Sequence, residues 1–132
     1  MYMVGIGGVG MSALAQLYVA RGHVVSGEDR SAQPTTELLE RQGIEVLIGE
    51  GDGPEGTELV GYSDAIPESN RARAGALARN VRQASYFQAL GEVSRGVLTI
   101  AVGGTNGKTT TTAMLVKILK DAEKDPTAII GS

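Results

Sequence analysis

The residues of this chain best equipped for chemistry lie in two glycine-rich loops near its opposite ends. The later one is Gly104-Thr105-Asn106-Gly107-Lys108-Thr109-Thr110, which follows the apolar run Val97 to Val102 and precedes a helical pattern reaching Leu119. A strand that feeds a glycine turn and then a helix presents backbone N–H groups and the positive end of the helix to an anion. Lys108 adds a mobile positive charge, and Thr109 puts a hydroxyl where a phosphate loop holds Mg²⁺. The match to the Walker pattern is a shortened one, because the full form needs glycine where Val102 stands. The competing reading is a strand–turn–helix in which glycines only make the turn.

The earlier loop, Gly5-Ile6-Gly7-Gly8-Val9-Gly10, directly follows the short strand pattern Tyr2–Val4. Met11, Leu14, Ala15 and Tyr18 then recur at helical spacing to about Arg21, where Gly22 stops the helix. His23–Ser26 reads as the next strand and ends in Gly27-Glu28-Asp29, with Asp29 standing 19 positions after Gly10. Strand, G-x-G-x-x-G, helix, strand and acidic residue form the dinucleotide fingerprint in its proper context. In such a unit Gly5 allows the tight turn, Gly7 lets backbone approach a diphosphate, and Gly10 permits close helix–strand packing. Asp29 is placed to accept from ribose hydroxyls. A turn that is only structural remains the alternative. An NAD(P)-binding module would account for this loop and Asp29, but gives Gly107-Lys108-Thr109 no purpose.

The elements that must position these loops follow in βα order. A helix is expected over Pro34–Gln42, a strand over Ile44–Ile48, an apolar-free loop over Gly49–Thr57 and a strand over Glu58–Tyr62. The turn Tyr62–Pro67 falls at the carboxyl edge of the sheet, where Ser63 could meet the same ligand as the first loop. Glu68–Asn80 favours helix, and Arg71, Arg73, Arg79 and Arg82 read as a solvated face. An extended piece near Val81 leads to a helix over Ser85–Val93 with Phe87, Leu90 and Val93 facing inward. Met114, Leu115, Ile118, Leu119 and Ala122 mark the face of a last helix, and Thr127–Ile130 begins another strand. His23 is given no role.

Composition narrows the function classes. A net charge of −3 and five aromatic residues argue against a nucleic-acid surface or a base-stacking platform. The absence of cysteine excludes disulfides and thiolate zinc sites and points to a reducing cytoplasm. The start MYMVGIGG has no basic, then apolar, leader pattern, so a signal peptide is not expected. No apolar run approaches the ~20 residues of a membrane span.

GIGGVGMSALA (Gly5–Ala15), VSGEDR (Val25–Arg30), YSDAIPESN (Tyr62–Asn70) and IAVGGTNGKTTTTAML (Ile100–Leu115) together resemble the Mur ligases of bacterial cell-wall synthesis, in that family's order and across the whole chain. The resemblance implies an α/β fold: a Rossmann-like parallel sheet with helices on both faces over residues 1–95, then the first βαβ of a P-loop ATP-binding domain over 96–132. It implies a UDP-sugar site in which Gly5, Gly7, Gly8, Gly10, Met11 and Ser12 face the diphosphate. Asp29 would contact the uridine portion, and Ser63, Asp64 and Ala65 would line the same site. It implies an ATP site of Gly104, Thr105, Asn106, Gly107, Lys108, Thr109 and Thr110, with Lys108 on the transferred group and Thr109 on Mg²⁺.

The reaction so implied joins L-alanine to UDP-N-acetylmuramic acid through an acyl phosphate. Asn106 stands where alanine-adding members usually carry His, and Glu50 follows Gly49 where they often have Gly-His. The family's acidic Mg²⁺ ligand, modified lysine and amino-acid-binding C-terminal domain find no counterpart. The chain is therefore expected to bind a UDP-sugar without catalysis, and the apolar surface of its last unit to pack back on the sheet or pair with a second copy. A non-catalytic nucleotide-sensing or assembly module is the other class these features allow.

Overall fold

Tyr2, Met3 and Val4 are buried on both faces of a sheet, which explains why this short strand is apolar throughout rather than alternating. It is β1 of a computed structural model that describes residues 1–131. Around it lie β2 (Ser26–Asp29), β3 (Glu45–Ile48), β4 (Leu59–Tyr62) and β5 (Arg82–Ser85), all parallel, in the order β3-β2-β1-β4-β5. The helices are α1 (Val9–Ala20), α2 (Pro34–Arg41), α3 (Arg71–Ala78), α4 (Tyr86–Ser94) and α5 (Lys108–Asp121).

Alternation along β1 divides the core. Met3 joins Ile6, Leu14, Leu39, Ile44 and Val93 under α1, α2 and α4. Tyr2 and Val4 join Val60, Ala72 and Ala76 under α3 on the other face. That second face is thinly covered, because the link from β3 to β4 is a loop without an apolar residue. Polar contacts hold it instead. The Gly51 N–H donates to Glu28 at 2.8 Å, Arg71 pairs with Asp52 at 2.7 Å, and Arg79 donates to the Asp52 carbonyl at 2.9 Å.

Of the four arginines expected to form a solvated face, Arg71, Arg79 and Arg82 are exposed though each is paired, and Arg73 is partly buried. Arg73 donates to the Ile66 carbonyl at 2.6 Å and to Gln83 at 3.2 Å, with its guanidinium 3.7 Å above the Tyr62 ring; Arg82 pairs with Glu92. The second strand begins at Ser26 rather than His23, because its ladder with β1 starts at the Tyr2–Ser26 pair and Val24 lies in solvent. Phe87 is 68% exposed instead of inward. It lies in the first turn of α4, where the neighbouring Tyr86 takes the inward position beside Gly10. Gly10 accordingly packs against a side chain of α4 rather than against a strand.

The last unit differs most from expectation. Its helix forms as α5, but neither 97–102 nor 127–130 is a strand, because neither finds a ladder partner and the sheet ends at β5. None of α5 is fully buried, and Met114 and Ile118 are exposed. Among the described residues of this stretch, Ile129 is the one that packs against the main core. Among the described residues no helix is long and apolar enough to cross a membrane.

Candidate functional site

Strand order reverses between β1 and β4, and the crevice outside the carboxyl ends of strands at such a switch point is where open α/β sheets bind ligands. A cleft of about 270 Å³ lies there. Gly5, Gly8, Asp29, Ser63 and Ala65, all nominated from sequence, line it, together with Glu28, Arg30, Gln33, Gly49, Glu50 and Asn70.

The first loop is shaped by the end of β2. The N–H groups of Gly5 and Ile6 both donate to the Glu28 carbonyl, at 2.9 and 3.1 Å. Gly5 turns the chain with φ of +77°, a conformation costly for any residue with a Cβ. Asp29 Oδ2 accepts from the Gly7 N–H at 2.9 Å, and the Thr35 hydroxyl donates to the Gly7 carbonyl at 2.5 Å. A Cβ on Gly7 would crowd the Gln33 amide, Asp29 Oδ2 and the Thr36 methyl, so a larger residue would force these side chains to shift and disturb the Asp29 bond to the loop. Gly7, Gly10, Met11 and Ser12 do not line the cleft. Met11 is core, and the Ser12 hydroxyl donates to the Val9 carbonyl at 3.0 Å. Asp64, beside the lining pair Ser63 and Ala65, is exposed.

Helix capping separates the two glycine loops from the rest of the fold. Gln33 and Thr36 form a capping box on α2, Asn70 caps α3 through the Arg73 N–H, and Ser85 and Gln88 form a capping box on α4. The helices α1 and α5 have no side-chain cap and no acidic residue in the first turn. Their leading N–H groups and positive ends are left for an anion.

At the second loop Gly107 adopts φ of +77° to start α5, and a hollow of about 270 Å³ is lined by Thr105, Asn106, Gly107, Lys108, Thr109, Thr110 and Gly131. Gly104 lies outside that lining, but its carbonyl accepts from Lys108 Nζ at 2.8 Å. A loop with a mobile ammonium and an uncapped helix start fits nucleotide phosphates. For Mg²⁺ it offers the Thr109 hydroxyl. Among the described residues no group of three or more His, Cys, Asp or Glu could hold a metal.

Sequence reasoning missed the residue at the floor of the cleft. Glu28 is 1% exposed, and its carboxylate accepts from Tyr2 Oη at 2.8 Å, the Gly51 N–H at 2.8 Å and Asn70 Nδ2 at 2.9 Å. Burial and this carboxylate push the Tyr2 phenol well above its usual pKa. The signal was present in the sequence: an acidic residue in a strand paired on both edges and covered on both faces has to find internal donors.

The Mur ligase family, catalytic domain, matches residues 1–97 of the chain. The UDP-N-acetylmuramate–L-alanine ligase of Symbiobacterium thermophilum is 43% identical over 132 residues, and that of Clostridium novyi 40%; each alignment includes 98% of this chain. The chain spans only 27% and 29% of the lengths of those two relatives. The crystal structure of UDP-N-acetylmuramate–alanine ligase from Thermotoga maritima superposes with a TM-score of 0.93 at 32% identity, over 98% of this chain and 31% of that one.

Proposed function

The chain belongs to the Mur ligase family, and from that membership we propose that its switch-point cleft binds the UDP portion of UDP-N-acetylmuramic acid. The observation that supports this reading most is the meeting of Gly5, Gly8, Asp29, Ser63 and Ala65, drawn from three separate motifs, around one cleft beside the uncapped start of α1. On this reading the first turn of α1 receives the diphosphate. Asp29 exchanges its bond to the Gly7 N–H for hydroxyls of the ligand, and residues 1–95 form the UDP-sugar domain.

Residues 96–132 then open the ATP-binding domain of a longer ligase. ATP supplies the phosphoryl group that converts the muramyl carboxylate, whose leaving group would otherwise be oxide, into one that expels phosphate when the amine of L-alanine attacks. Lys108, released from the Gly104 carbonyl, would meet the transferred group, and Thr109 would hold Mg²⁺ by its hydroxyl. The parent would act in the cytoplasm. By itself this chain would bind the UDP-sugar without turnover.

Calorimetric titration with UDP-N-acetylmuramic acid, with NADH as the control ligand, tests the proposal. Binding of the UDP-sugar that is lost in Gly7→Val and Asp29→Ala supports it. Binding of NADH alone, or of neither ligand, overturns it.

A further inference from the structure

The Glu28 carboxylate accepts three hydrogen bonds from three different segments, and none comes from a cation. Tyr2 belongs to the central strand, Gly51 to the loop after β3, and Asn70 to the turn that enters α3. The latter two segments are the opposite walls of the cleft. Gly49 and Glu50 stand on one side, and Ser63, Ala65 and Asn70 on the other, with Glu28 between them. Tyr2 also carries the first wall directly, since a Cβ on Gly53 would stand 3.1 Å from its ring.

We propose that Glu28 is a positioning residue for the nucleotide ligand: by accepting from Tyr2, Gly51 and Asn70 at once, it sets the spacing and rigidity of the two walls between which the ligand lies. The identity of the ligand rests on the function proposed above. The walls need such a tie, because the loop 49–57 has no apolar residue with which to bury itself. A buried carboxylate accepting three neutral donors makes charge-assisted bonds, stronger than neutral ones and lost together when it is replaced. Its lone pairs are spent on the protein, so its effect on ligand is exerted through the walls.

Donor arithmetic supplies a specific test. In Glu28→Gln the new amide must face either the Asn70 amide or the Tyr2–Gly51 pair, and the Gly51 N–H cannot become an acceptor. Asn70 cannot turn its amide to help, because its Oδ1 caps α3 by accepting from the Arg73 N–H at 3.1 Å. Asn70→Asp alone sets two carboxylates against each other. The double variant Glu28→Gln/Asn70→Asp reverses one bond and satisfies every group. At position 28 the amide oxygen accepts from Tyr2 and Gly51, while the amide nitrogen donates to the new carboxylate at position 70. The other oxygen of that carboxylate still caps α3.

UDP is titrated calorimetrically into the unaltered chain, both single variants and the double, and amide exchange is followed at Gly51 and across 63–70. Each single variant is expected to lose about tenfold or more in UDP affinity and to exchange faster in both walls. The double is expected to return both readouts close to the unaltered values. Val93→Ala, which weakens the core under α4, should lower the melting temperature while the folded protein keeps its UDP affinity and its wall protection. A single variant that is folded and binds UDP as before, or a double variant that restores stability but not affinity, overturns the proposal. Failure of the unaltered chain to bind UDP overturns the function reading instead, and the exchange pattern then still decides whether Glu28 ties the walls.

Discussion

The ring of Tyr86 lies directly against Gly10, close enough that a Cβ there would stand 2.8 Å from the tyrosine Cζ and 2.9 Å from its oxygen. The same hydroxyl faces Gly131, where a Cβ would stand 3.4 Å away, and Gly131 lines the hollow of the second loop. One side chain at the start of α4 therefore touches the first turn of α1 and the rim of the other phosphate loop.

Gly10→Ala is expected to destabilise the chain by about 1 kcal/mol. Overpacking against Tyr86 costs about 1–3 kcal/mol, offset by up to about 1 kcal/mol of helix propensity. Urea denaturation checks the sign. A stabilised Gly10→Ala would mean that the ring gives way freely, and Gly10→Ala/Tyr86→Leu should recover part of the loss.

Alkaline pH should destabilise the chain once it rises above the ordinary phenol range. Burial raises the pKa of Tyr2, Tyr18 and Tyr86, with the Glu28 charge adding to it at Tyr2. A phenol whose folded pKa is raised contributes stability that is intact below the unfolded value near 10.0 and is lost as pH climbs from there toward the folded value. Phenolate absorbance and circular dichroism should therefore change together above that point, and Tyr2→Phe should flatten the decline. Phenolate formation complete before any unfolding would contradict it.

Arg73→Lys should cost about 1–2 kcal/mol even though the charge is retained. The guanidinium bonds the Ile66 carbonyl and Gln83 while stacking on Tyr62, and an ammonium cannot do all three. Because Ile66 lines the cleft, UDP affinity should fall as well. Chemical denaturation beside calorimetry reads both effects.

Lys108→Ala should leave the melting temperature and UDP affinity unchanged, since its ammonium makes an exposed bond to Gly104 and α5 buries no residue completely. Its expected loss is confined to ATP binding, measured by titration with a non-hydrolysable ATP analogue in the presence of Mg²⁺. A drop in melting temperature would mean that the second loop supports the sheet.

Strands β1 and β3 were legible because each is a short, mainly apolar run that ends directly at a glycine, Gly5 and Gly49, so composition and punctuation agreed. The register of β2 was not: Val24 and Val25 look like strand, but only pairing with β1 decides where a ladder starts. The cleft was half legible. Fingerprint spacing found Gly5 and Asp29, the sheet edge pointed to Ser63, and the family resemblance added Gly8 and Ala65, whereas Glu28, Asn70 and Gly51 lie far apart in sequence and meet only through the fold. Phe87 and Tyr86 are adjacent and chemically alike, and only the gap at Gly10 decides which turns inward. The run 97–102 shows the limit from the other side, because strand propensity is satisfied only by a neighbour.

That run has a practical consequence. Val97-Leu98-Thr99-Ile100-Ala101-Val102 is uncharged, free of proline and rich in β-branched residues, with Leu98 97% exposed and no ladder to occupy it. Segments of this composition stack in register into cross-β fibrils when left open. Purified at high concentration, this chain should seed thioflavin-positive aggregates through these six residues, and Ile100→Lys should keep it in solution.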